Sequence, residues 1–153
     1  MMEKREVEVE VTLQSGTYYL ADPCYVIADE DWLPWLEACD FTNQDTLIGA
    51  VPGKEIDAVG FRTAYGDGMY DFEGQNTKSW KQDEWTTIKE LGVDSGMIGF
   101  VFSVGVTPQS DNFVQKITLE SPTIITYRDG NLFWNTSRGE SFRVLTEDQD
   151  GDW

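Results

Sequence analysis

The chain has no histidine and only 11 basic side chains among its 153 residues, against 28 acidic ones, so its formal charge is −17. Each shortage removes a class of function. Without His, the commonest general base and the commonest metal ligand are missing, which argues against Ser–His and Cys–His catalysis and against zinc enzymes. With so few Lys and Arg, direct binding to DNA, RNA or an anionic membrane is not expected, because phosphates need clustered cations. Cys24 and Cys39 are too few for a metal cluster or a disulfide framework. They suffice for one bridge, and a cytosolic setting favours two buried free thiols instead. No stretch approaches the roughly 20 apolar residues of a membrane span. Met1-Met2-Glu3-Lys4-Arg5-Glu6 runs straight into a strand pattern rather than an apolar signal region. The expectation is a soluble protein of the cytoplasm.

What is present points to a folded domain. Apolar residues make up 40% and aromatics 13%, with six Trp, too many for a disordered acidic chain. One domain of this length buries about 68–70% of its extended-chain surface, enough for a true core. The acidity is uneven. From Glu6 to Gly53 there are ten acids and no base, and after Arg143 come four more, Glu147, Asp148, Asp150 and Asp152, again unopposed. Lys54 to Arg143 holds nine bases and thirteen acids and nets only −4.

The periodicity is mainly that of β-structure. Val7, Val9, Val11 and Leu13 alternate with Glu6, Glu8, Glu10 and Thr12, the pattern of a half-buried strand with a carboxylate-lined outer face. Ser15-Gly16 turns the chain into Thr17-Tyr18-Tyr19-Leu20. Asp29-Glu30-Asp31 precedes Trp32, Leu33, Trp35, Leu36 and Cys39, which predicts a short helix with acids at its positive end and Pro34 in its first turn. Strands are expected over 46–51, 56–63, 97–104, 113–119, 123–127, 132–135 and 141–145, with Asp129-Gly130 as a hairpin turn. Gln75 to Glu90 reads as a polar loop or a helical excursion. The expected architecture is one domain, mainly β (α+β): an antiparallel, strongly twisted sheet or partly open barrel or sandwich with one or two short helices. Residues 146–153 read as a flexible acidic tail.

Three short segments are rich in turn-forming and reactive residues. Asp22-Pro23-Cys24-Tyr25 places a thiol beside a carboxylate, which raises the thiol pKa, and no His is there as base; a strand-to-turn corner with a buried Cys is the structural alternative. In Thr63-Ala64-Tyr65-Gly66-Asp67-Gly68-Met69-Tyr70, two glycines flank Asp67 on a tight turn, with Tyr65 and Tyr70 able to stack on a ligand or to pack over the turn. Gly92-Val93-Asp94-Ser95-Gly96 leads into a buried strand, and Asp94 with Ser95 suits a polar ligand, a hard cation, or a turn that caps the strand. Asp148-Gln149-Asp150-Gly151-Asp152 imitates the start of a calcium loop but lacks the bidentate Glu that completes one.

Taken together and in this order, the Asp22-Pro23-Cys24-Tyr25 block with Gly16-Thr17-Tyr18-Tyr19 before it, Thr63-Ala64-Tyr65-Gly66-Asp67-Gly68 with Tyr70, and Gly92-Val93-Asp94-Ser95-Gly96 with Ile98 resemble an uncharacterised family of small bacteriophage and bacterial proteins. The likeness spans residues 16 to 135. Family members usually have Gly in place of Ala21 and a shorter insert than Phe72 to Glu90. The resemblance implies a phage or bacterial cytoplasmic protein and supplies no reaction. It also implies that Asp22, Asp67 and Asp94 share one end of a sheet.

Two functions follow as expectations. The first is a non-enzymatic interaction protein, an inhibitor or anti-defence factor, whose acidic face of Glu6, Glu8, Glu10, Asp29, Glu30, Asp31, Glu37 and Asp40 engages a basic host protein such as a nucleic-acid-binding enzyme. Mass scaling gives a surface of about 7,900 Å², hence about one net charge per 460 Å². Duplex DNA carries about one per 110 Å², so a DNA-like density requires these acids on one face. The alternative is a small-ligand or Mg²⁺ or Ca²⁺ site, or a His-free hydrolase, built from Asp22, Cys24, Tyr65, Asp67, Tyr70, Asp94 and Ser95.

Overall fold

A computed structural model describes residues 8–44, 46–53, 57–64, 66–75, 84–103, 108 and 113–146. Eleven antiparallel strands form two sheets in it. In chain order they are β1 (Glu8–Leu13), β2 (Gly16–Ala21), β3 (Thr46–Ala50), β4 (Asp57–Arg62), β5 (Gly68–Gln75), β6 (Trp85–Val93), β7 (Met97–Phe102), β8 (Gln115–Leu119), β9 (Thr123–Arg128), β10 (Asn131–Asn135) and β11 (Ser141–Val144). A 3₁₀ turn, Pro23–Tyr25, and helix α1 (Asp29–Ala38) lie between β2 and β3. The six-stranded sheet runs β1-β9-β10-β11-β5-β6, and the five-stranded sheet runs β3-β4-β7-β2-β8. The molecule is thus a sandwich with open edges, within the mainly β class expected.

Alternation in the sequence decides which face each strand buries. Tyr18 and Leu20 of β2, Val59 and Phe61 of β4 and Ile98 and Phe100 of β7 meet Tyr70, Phe72, Leu91, Ile125, Leu132, Trp134 and Val144 of the larger sheet in one core. The other face of the smaller sheet carries Ala21, Leu47, Ala58, Met97 and Val101, and α1 covers it with Trp35 and Cys39. Sandwiched between a sheet and a helix, β7 is buried on both faces, which is why Met97 to Phe102 reads as a continuous apolar run.

The helix is held by one indole. Trp35 is fully buried and donates its Nε1–H to the Gly49 carbonyl at 3.1 Å. Its ring lies over Gly60, where a Cβ would stand 3.2 Å from it. Beside Gly60, in register, is Gly99, where a Cβ would fall 1.9 Å from the Val59 carbonyl oxygen, so no larger residue fits between these strands. Pro34 stands inside the helix, not in its first turn. Its missing N–H leaves the Glu30 carbonyl to water, which is tolerable because Glu30 and Pro34 are both exposed.

Three further expectations change. Trp85 to Glu90 is part of β6 rather than loop or helix, and residues 76–83 lie outside the described residues. Gly68–Gln75, expected as turn sequence only as far as Tyr70 and as loop or helix from Gln75, forms β5 and pairs with β6 through a bulge at Phe72/Glu73. Thr146, assigned to a flexible tail, is 1% exposed and receives the Ala64 amide at 2.9 Å, while its own amide reaches Asn131 Oδ1 at 2.9 Å. Residues 147–153 lie outside the described residues. The Asp129-Gly130 hairpin forms as expected, with φ of 51° and 90° at its two central residues, the left-handed values that its tight turn requires.

Candidate functional site

The three Asp-bearing turns gather at one end of the sandwich. Asp22 follows β2, Asp67 precedes β5, and Asp94 and Ser95 join β6 to β7. The second and third turns meet through main chain: the Thr63 amide donates to the Gly96 carbonyl at 2.9 Å, and the Thr63 hydroxyl donates to the Gly66 carbonyl at 2.6 Å. The Asp129-Gly130 hairpin closes the same end. Gly130's carbonyl accepts the Thr146 hydroxyl, and the Tyr127 hydroxyl donates to the Arg62 carbonyl at 2.7 Å.

Asp22 is the hub of this end, and it is 0% exposed. Its Oδ1 accepts the Cys24 amide at 3.0 Å and the Ser95 hydroxyl at 2.5 Å. Its Oδ2 accepts the amides of Asp94 at 2.8 Å and Ser95 at 2.7 Å. An ionised carboxylate offers about four lone-pair sites, so these four donors saturate it. Asp22 therefore fastens the Asp94–Ser95 turn to the 3₁₀ turn, and nothing of it remains for a ligand.

The other expected site residues have separate surroundings. Cys24 is half-buried rather than buried, and burial together with the Asp22 carboxylate pushes its thiol far above the usual range, so it is no nucleophile. The Asp94 side chain is exposed and accepts the Tyr25 hydroxyl at 2.5 Å. That bond, with burial, holds the Tyr25 phenol well above its ordinary value. Tyr70 is buried and donates to the Gly66 carbonyl at 2.9 Å, which makes it a brace under the turn rather than a pocket wall. Asp67 is exposed at the tip, and Tyr65 lies outside the described residues. No group of three His, Cys, Asp or Glu among the described residues is placed to hold a metal ion. Cys39 is free and buried beneath α1, where burial raises its thiol pKa as well.

The eight acids assigned to one face are divided by the layer order. Glu8 and Glu10 project from β1 on the outer face of the six-stranded sheet, and Glu8 is paired with Arg128 at 2.9 Å. Asp29, Glu30, Asp31, Glu37 and Asp40 belong to α1 and the turn after it, on the far side of the five-stranded sheet. With layers stacked about 10 Å apart, the two groups lie on opposite sides of the molecule. Glu6 is outside the described residues. The helix acids stand beside exposed apolar groups, with Leu33 55% and Phe41 36% exposed. Arg62 adjoins this layer, and its guanidinium donates to the main-chain carbonyls of Phe41 and Gln44 rather than to the carboxylates.

The residues that sequence reasoning missed are Thr63, Thr146 and Tyr127, which tie this end together, and Gly60 and Gly99, which seat the helix. Thr63 stood in the second of the three blocks without a role of its own, and the two glycines left a signal as small residues inside apolar strands.

Fold and site together define a two-sheet antiparallel sandwich with one acidic helix on an outer face. Comparison of the chain with protein-family models, with curated protein sequences and with solved structures finds no match. Among the described residues no helix is long and apolar enough to cross a membrane.

Proposed function

We propose that this chain is a small, non-enzymatic interaction protein of bacteriophage type that engages a basic protein in the bacterial cytoplasm, such as a nucleic-acid-binding host enzyme or a defence factor, through the α1 layer. The observation that carries the proposal is the composition of that layer: exposed Glu30 and Glu37 beside exposed Leu33 and Phe41, with Arg62 turned to main-chain carbonyls. Carboxylates attract and orient a cationic partner, and the apolar groups supply area that is released from water on contact. The saturation of Asp22 and the engagement of Tyr70 and Ser95 argue against the Asp/Tyr pocket as the working site. The placement of acids on two sides argues against a DNA-like charge density and for a local protein contact.

The test is capture from bacterial lysate at low and high salt with identification by mass spectrometry, using three proteins: the parent, Glu30→Gln with Glu37→Gln and Leu33→Ser, and Glu8→Gln with Glu10→Gln. A basic partner that is released by salt, lost with the helix variant and kept by the β1 variant is the expected result. Capture that survives the helix variant and fails with the β1 variant refutes the assignment to α1.

A further inference from the structure

The two sheets separate at one edge, where β1 overhangs β3 and β4. The gap is a crevice of about 170 Å³. Val11 and Leu13 line it from β1, Ile48 and Val59 from β3 and β4, and the buried rings of Tyr18 and Phe100 close it at depth. All of these except Ile48 belong to or pack on the main core, so the crevice is an inlet into it. Ile48, 58% exposed, is an apolar side chain left at the entrance. An apolar cavity of about 150 Å³ accommodates a molecule of benzene size.

The polar groups around it are few and of one character. Asp57, the first residue of β4, is exposed and is the only charged side chain among the described lining residues. The Tyr18 hydroxyl donates to the Gln14 carbonyl at 2.9 Å and keeps its oxygen lone pairs as acceptors. Burial, and then the Asp57 carboxylate, raise the Tyr18 pKa, so the phenol stays neutral at physiological pH. An apolar cleft with a small number of convergent polar groups is the ordinary make-up of a small-molecule site. A carboxylate at its mouth, in a chain of net charge −17, selects against anions and for cations.

We propose that this crevice binds a small organic cation, an ammonium group on an aromatic or branched aliphatic body. The body lies between β1 and the β3–β4 pair, and the ammonium group donates to the Asp57 carboxylate. The site is independent of the α1 layer and of the turns around Asp22.

Benzylamine, benzyl alcohol and benzoate, titrated separately into ¹⁵N-labelled protein at about 0.15 M salt, share one ring and differ in charge. Benzylamine is expected to shift the amides of Val11 to Gln14, Ile48, Gly49 and Asp57 to Val59 saturably, in the millimolar range or below. Benzyl alcohol is expected to shift the same amides with about tenfold weaker affinity, for want of the charge-assisted bond, and benzoate to shift none. Asp57→Asn, at an exposed position, is expected to bring benzylamine down about tenfold, to the level of the alcohol, while leaving the alcohol unchanged. The proposal is overturned if benzylamine gives no saturable shift, if its shifts scatter over α1 and the strands away from the crevice, if benzoate binds as tightly, or if Asp57→Asn leaves benzylamine affinity intact.

Discussion

Replacing Asp22 with alanine strips four hydrogen bonds from the most buried carboxylate described in the molecule, and three of the donors left behind are main-chain amides, those of Cys24, Asp94 and Ser95. A buried donor without a partner costs about 1–3 kcal/mol. Ser95 and Cys24 are half-buried, so water relieves part of that cost, and the lower half of the range applies. The expected loss is about 4 kcal/mol for Asp22→Ala. Asp22→Asn keeps one acceptor oxygen and turns an NH₂ toward the remaining amides, for about 2 kcal/mol. Ser95→Ala removes a single hydroxyl donor and leaves the amide bonds standing, for about 1 kcal/mol. Urea unfolding followed by tryptophan fluorescence resolves this series; with an m-value of about 2 kcal/mol/M, the alanine variant shifts the midpoint by about 2 M. Hydrogen exchange should show the Asp94 and Ser95 amides losing protection before those of β7. If Asp22→Ala costs less than about 1 kcal/mol, or no more than Ser95→Ala, then Asp22 is not the fastening of this end, and its candidacy as a ligand residue returns.

Stability should fall on the alkaline side. Cys24 and Cys39, with an ordinary value of 9.0, and Tyr18 and Tyr25, with 10.0, are all held above those values in the fold. The unfolded chain ionises first, so their contribution is complete below about pH 9 and declines as pH rises through the elevated folded values, by at most about 1.4 kcal/mol per pH unit per group and by less at half-exposed Cys24 and Tyr25. Urea midpoints that stay level up to about pH 10.5, or that fall equally in Cys24→Ala with Tyr25→Phe, contradict this. At the seat of the helix, Gly60→Ala presses a methyl on the buried Trp35 ring and the Met97 sulfur at 3.2 and 3.3 Å, side-chain atoms that need shift by only a few tenths of an ångström, at about 1 kcal/mol. Gly99→Ala drives one into the Val59 carbonyl, which does not yield, at about 3 kcal/mol or more; equal costs at the two positions would show that the strands are less tightly apposed.

Much of the fold was legible because alternation and turn chemistry are local. Glu8 to Leu13 alternates without a fault, Asp129-Gly130 has the residues its turn demands, and the acids before Trp32 mark the start of α1. The pair β5–β6 was not legible. Its bulge leaves Ile88 opposite no residue, so Leu91 and Val93 fall out of step with Trp85, and no period of two runs through the strand. Gly66-Asp67-Gly68 also masks the start of β5, where Tyr70 and Phe72 do alternate. That the Asp22, Asp67 and Asp94 turns share one end was only suggested, through the resemblance of the three blocks, and their chemistry was not legible at all. Three of the four donors to Asp22 come from residues 72 and 73 positions away, and the local Cys24 amide alone does not tell a carboxylate that will be saturated from one that will stay open. Asp57 and Tyr18, at the crevice, sit in strands that never touch in sequence, and neither stands in a recognisable motif.

The hydrogen-bonded end of the sandwich also determines how the sheets are coupled. There Tyr127 and Thr146 of one sheet are bonded to Arg62 and Ala64 of the other in part-buried contacts. At the opposite end the chain itself joins the sheets twice, through residues 14–15 between β1 and β2 and through residues 120–122 between β8 and β9, and the exposed Glu120–Arg138 ion pair adds little to that. The crevice lies against the first of these covalent joints, at Gln14, away from every hydrogen bond of Asp22. Its walls are therefore tethered, and an occupant meets a preformed inlet rather than one that parts to admit it.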